Sequence, residues 1–131
     1  MSTQLIKLSG IAGWISISLG TIHSANTWFV IRDVASFDVV WRGTILFMYI
    51  AAGLGCLLAG SGMLLSTAPA VQKTKTAHHI FLISATFMLL LGIGAPIAMS
   101  FNPFGYISLV VGVFAMSVAL LRYRHQYGRL D

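Results

Sequence analysis

Glutamate is missing from the sequence altogether, and the only carboxylates are Asp33, Asp38 and Asp131. None of the three lies inside a long apolar run. A carrier coupled to protons or sodium ordinarily switches on an acidic group held at membrane depth, so that mechanism has no residue to use here. Cysteine occurs once, as Cys56, which excludes an intrachain disulfide and a Cys-rich metal site. Charge of either sign is scarce at 8% of residues, against about a quarter in a soluble domain. A soluble fold with 57% hydrophobic residues would have too little polar surface to cover itself.

What is present is a series of long apolar runs. The first, Leu8 to Ile31, carries no formal charge beyond whatever His23 holds; it starts close to Met1 and is read as a retained helix, with a signal peptide as the rival. The second, Gly43 to Thr67, is uncharged and gives way to the polar, Pro-containing stretch STAPAVQKTKTAHH. A third follows, and Asn102-Pro103 interrupts the chain before the fourth, because proline disfavours helix at the residue before it. Each crossing of a bilayer needs roughly 20 apolar residues. The expected fold is therefore all-α: a single integral membrane domain over 1–131, with four transmembrane helices at about 8–31, 43–67, 77–100 and 104–122.

Basic residues give the orientation. Lys7, Lys73, Lys75, Arg122, Arg124 and Arg129 fall on one side of this topology and Arg32 and Arg42 on the other, six against two. By the positive-inside rule both termini are expected in the cytoplasm. The net charge of +5 sits beside helix ends instead of forming a separate patch, so membrane lipids are the expected partners and nucleic acid is not. Trp28, Phe37, Trp41, Tyr123 and Tyr127 flank the same helix ends, as interfacial anchors do. Arg32 with Asp33, and Asp38 with Arg42, read as surface ion pairs.

In lipid, helices associate by close backbone approach along stripes of small residues. Ser9, Gly13, Ser16, Gly20, His23 and Thr27 make such a stripe in heptad rhythm, with Ile11, Ile15, Leu19 and Ile22 on the other side. Ala51, Gly55, Ala59 and Gly62 make another, with Gly53 and Gly60 beside it. These seams point to a compact bundle or an oligomer.

An ionisable residue inside a membrane segment is a functional candidate by default, which singles out His23. Counting from Leu8 puts it about 22 Å along a roughly 30 Å core. Pro96 cannot donate to the Gly92 carbonyl, so a kink and a freed acceptor are expected at an overlapping depth. The candidate ligand-binding set is His23, Asn26, Tyr49, the Gly92 carbonyl and Tyr106, with Met48 and Met99 completing an outward-facing pocket. An interhelical hydrogen bond from His23 to a serine or carbonyl accounts for the same residue, and both readings stand. His78-His79 does not read as a haem or metal pair, because adjacent helical residues point about 100° apart and lie some 20 Å in depth from His23. No catalytic residue, metal site or cofactor is assigned.

With the stretch Gly20-Thr21-Ile22-His23 near the outer end of the first of four helices, the chain resembles the small DoxX-like bacterial inner-membrane proteins. That resemblance implies the architecture and a bacterial inner-membrane location; members of the group are linked with quinone-coupled redox chemistry, for which this chain shows no residue set. Small multidrug exporters carry a glutamate in the first helix, and glutathione-dependent four-helix membrane enzymes need Arg and Glu within the bundle; both are set aside, as are fluoride channels, whose Asn- and Phe-rich pore signature is absent. The leading expectation is a non-catalytic bundle that forms a homo-oligomer or serves as a subunit of a membrane complex. The alternative is a binder or conductor of a small apolar or amphipathic molecule, such as a lipid, quinone or drug-like compound, near His23. An enzyme comes third.

Overall fold

A computed structural model describes residues 2–98 and 103–127, and within them the chain is helical with no strand. Helix α1 covers Thr3–Ala25 and α2 Thr27–Asp33; a single 3-10 turn, Val34–Ser36, follows. Helices α3, Val39–Leu65, α4, Lys75–Ala98, and α5, Pro103–Tyr127, complete the order. Four spans are long and apolar enough to cross a membrane, the first formed by α1, α2 and the turn together.

The helices begin earlier than hydropathy alone places them, because polar caps lie outside the apolar runs. Ser2 accepts from the Leu5 amide at 3.3 Å and starts α1 at Thr3. Asp38 accepts from the Val40 amide at 2.9 Å and starts α3 at Val39. This corrects the expected pairing of Asp38 with Arg42: the arginine donates instead to the carbonyls of Ala35, at 2.6 Å, and Phe37, at 3.1 Å, closing the loop beneath α3. Pro103 opens α5 at the first helical position, where its missing N–H costs nothing. The expected extension of the third helix to residue 100 and the break at Asn102 lie outside the described residues, as does Met99.

Packing divides the four long helices into two close pairs, α1 with α3 and α4 with α5, which meet along thinner seams. Glycine sets the closeness within each pair. A Cβ added at Gly20 would lie 2.7 Å from the Gly53 carbonyl oxygen, and one at Gly60 would lie 2.7 Å from that of Gly13. In the second pair, a Cβ at Gly112 would fall 2.6 Å from the Leu89 Cα, and Gly92 abuts the backbone of Ser108 and Leu109 still more tightly. Backbones this close gain dispersion contacts that lipid cannot supply.

The first-helix seam is buried as the heptad indicates, through Ser9, Gly13, Ser16, Gly20 and His23, while Ile11, Ile15 and Ile22 are exposed. Leu19 departs from the expectation and is buried. The reason is that α1 packs on α5 as well as on α3, so Leu5, Ala12 and Leu19 form a second inward row beside the first. On α3, Gly53 and Gly60 face α1, whereas Gly55 meets the Phe87 ring and Gly62 meets Ser84 on α4. Ala51 alone of that stripe is exposed.

The interior is mostly of small residues and slightly polar, Ala12, Cys56, Ala85, Ala115 and Ala119 with Ser9, Ser16 and Ser108, filled out by Met63, Phe81 and Met88. Ser9, Ser16 and Ser108 each donate to the carbonyl four residues back, so no hydroxyl proton is stranded. Outside lie Trp14, Phe47, Leu58, Ile83, Ile97 and Val110, each more than 60% exposed. Large apolar groups facing out over a core of small residues is the reverse of a soluble protein, where such patches are limited in size.

Candidate functional site

His23 occupies the last turn of α1 and is buried between three helices. Its ring lies between two aromatic rings, with centroids 3.7 Å from Tyr49 on α3 and 3.6 Å from Phe104 in the first turn of α5. Nε2 donates to the Tyr49 carbonyl oxygen at 3.1 Å. Gly53, one turn further along α3, makes the approach feasible: a Cβ there would sit 3.4 Å from His23 Cδ2 and would collide with the Ser24 hydroxyl.

This sandwich forms one wall of an open cleft of about 420 Å³ between α1 and α5. Ile15, Leu19, Ile22, Phe104 and Ile107 supply apolar lining, and Ser18, His23 and Asn26 bring polar groups to it. Asn26 reaches the rim because it is the joint between α1 and α2: its amide closes the end of α1 on the Ile22 carbonyl at 3.1 Å, and its own carbonyl accepts from Phe29 at 3.0 Å. Apolar walls with a few convergent polar groups are the usual make-up of a small-molecule site.

Of the sequence-selected residues, His23, Asn26 and Tyr49 are brought together here, whereas Met48, Gly92 and Tyr106 are absent from the lining. Gly92 is placed against α5 at Ser108 and Leu109, so it serves the α4–α5 contact. Tyr106 is about half exposed and is absent from the cleft lining. Successive helical residues turn about 100°, so Phe104 and Ile107 share a face that Tyr106 does not.

A second polar cluster lies at the opposite end of the bundle, around a residue that sequence reasoning treated only as a topological marker. Arg122 is 2% exposed. Its Nη1 donates to Ser9 Oγ on α1 at 3.0 Å and to Ser66 Oγ at the end of α3 at 3.1 Å. Nη2 reaches the Ser66 carbonyl at 3.4 Å, and Cζ stands 4.6 Å over the Phe81 ring of α4. One guanidinium thus touches all four long helices. The serines can accept because each donates elsewhere, Ser9 to Leu5 and Ser66 to Met63. The charge is met by hydroxyl dipoles and an aromatic face, and Nε has no partner among the described residues.

His78 is buried in the same region, with ring centroids 5.8 Å from Tyr123 and 5.9 Å from Tyr127. The His79 ring is 6.0 Å away and tilted by 54°. Among the described residues no three His, Cys, Asp or Glu side chains converge as a metal site would require. The signal for Arg122 was present in α5: Ser108, Val111, Ala115 and Val118 are spaced 3, 4 and 3 and are buried, and a further step of 4 lands on Arg122. Comparison with known proteins finds no matching family model, no matching curated protein and no matching solved structure.

Proposed function

We propose that this chain is an integral membrane protein of the bacterial inner membrane, with both termini cytoplasmic, that holds a small amphipathic molecule in the cleft beside His23. The observation that carries the reading is the cleft itself, where a buried imidazole, an amide and a hydroxyl meet aliphatic and aromatic walls. The leading sequence expectation rested on small-residue seams needing a partner. Much of both seams is occupied by this chain's own helices, while Ala51 stays exposed and the thin extramembrane mass is unchanged, so assembly is kept as the second reading.

Native mass spectrometry after purification in mild detergent tests the proposal. The wild-type chain is expected to retain one small-molecule adduct per copy, and Ile107→Trp, which fills the cleft from its α5 side, is expected to lose it. A bare mass for both proteins would defeat the binding reading. A second reading, a subunit of a larger membrane complex, is favoured by the shallow groove of about 250 Å³ between α3 and α4, lined by Gly55, Leu58, Ala59, Ile83, Ser84 and Phe87. A co-purifying membrane subunit in the same spectrum would support it.

Orientation is tested separately. In a Cys56→Ser background, Ser36→Cys is expected to react with an impermeant maleimide added to intact cells, and Thr74→Cys is expected to react only after lysis. Labelling of Thr74→Cys in intact cells would reverse the topology.

A further inference from the structure

Four of the five sides of the His23 ring are accounted for by the protein. Tyr49 covers one face and Phe104 the other. Nε2 is turned to the Tyr49 carbonyl, and the Cδ2 edge faces Gly53 on α3. His23 nevertheless lines the cleft, and Nδ1 is not among the buried side-chain polar atoms left without a partner, so the Nδ1–Cε1 edge is the part assigned to the cleft. A backbone carbonyl oxygen can only accept, so Nε2 carries the proton. In the neutral imidazole the other nitrogen is then an acceptor, and Nδ1 offers a lone pair to the cleft.

We propose that the cleft selects a ligand whose polar head donates a hydrogen bond to His23 Nδ1, namely an alcohol or phenol carried on an apolar body. This rests on the reading of the cleft as a binding site and adds the chemistry of its occupant. An ether, ester or ketone head would set one acceptor against another, leaving two polar groups unpaired in an apolar site. An ammonium head can donate, but among the described residues no carboxylate lines the cleft to meet its charge, and a buried charge without a partner is strongly disfavoured. Asn26, on the rim, has the amide N–H groups to donate to the hydroxyl oxygen in return.

The test is a matched pair of probes, 4-nonylphenol and its methyl ether 4-nonylanisole, in which one methyl group replaces the donated proton. Each is titrated onto the detergent-solubilised full chain, labelled with ¹⁵N-histidine. Binding is read by native mass spectrometry and by the His23 Nδ1 resonance, identified by its loss in His23→Phe. The phenol is expected to bind at least about tenfold more tightly and to move the Nδ1 resonance. His23→Phe keeps a stacked ring and is expected to reduce phenol binding to the level of the ether. Equal binding of both probes, or preference for the ether, would overturn the donor selectivity while leaving the cleft as a binding site. Failure of both probes to bind, or binding that survives Ile107→Trp unchanged, would overturn the site and the selectivity together. Should His23→Phe not fold, the wild-type affinities of the two probes, with Ile107→Trp as the cleft control, decide the matter.

Discussion

Arg122→Lys is expected to destabilise the bundle more than Arg122→Met, by about 3–5 kcal/mol against less than about 2 kcal/mol. Lysine keeps the positive charge but presents one compact ammonium, which cannot bond Ser9 and Ser66 together while lying flat over Phe81. It leaves a charge at a site that is 2% exposed with fewer partners than its desolvation requires. Methionine abandons the hydrogen bonds but refills the space with a flexible apolar chain and removes the charge. Thermal unfolding in a fixed detergent, followed by circular dichroism, gives the order directly. If lysine is tolerated better than methionine, charge and not the planar fork is what the site needs, and water reaches it.

Gly20→Ala is expected to cost about 1–3 kcal/mol, and Gly20→Leu to prevent α1 from pairing with α3. The added Cβ would lie 2.7 Å from the Gly53 carbonyl oxygen and 2.9 Å from both Cys56 Cβ and the Leu57 nitrogen. Backbone cannot step aside as a side-chain tip can, so the two helices must separate along their length. Gly10→Ala is the internal control. Nothing lies within 4 Å of the Cβ it would add, so it is expected to be neutral or to gain up to about 1 kcal/mol from helix propensity. Gly55→Leu is expected to fall between, because its obstacle is the Phe87 ring. Equal losses at Gly10 and Gly20 would mean the α1–α3 contact is not the close one.

The helices and their inward faces were legible because both follow from local patterns. Apolar runs fix the spans, and the 4, 3, 4, 3 spacing of Ser9, Gly13, Ser16, Gly20 and His23 fixes which side of α1 meets protein. A constant rise per residue matches the depth of His23 to Gly92 and Pro96, but equal depth does not select the neighbouring helix: His23 meets Tyr49 of α3 and Phe104 of α5, and Gly92 meets α5. Rotation about the other helix axes was not legible. Tyr106 and Phe104 point about 160° apart around α5, and no single residue in that stretch marks which of the two faces α1. Gly92 shows the opposite difficulty: it reads as a freed carbonyl beside a proline, but a residue without a side chain is also where a second helix comes closest, and that use prevails. Arg122 is hard to read from sequence because charge near a helix end is ordinarily drawn to headgroups, and the heptad that turns it inward is carried by Val111, Ala115 and Val118 more than by glycine and serine.

The division into two close helix pairs has a consequence for the order in which the protein is made. Each pair joins long helices consecutive in the chain, so α1 and α3 can engage once residues up to Leu65 have left the ribosome, and α4 and α5 form a second hairpin afterwards. Arg122 is among the last helical residues to emerge, and it carries the hydrogen bonds from α5 back to Ser9 and Ser66 of the earlier pair. Assembly is therefore fastened by a residue from the far end of the chain gripping one from its beginning, 113 positions away.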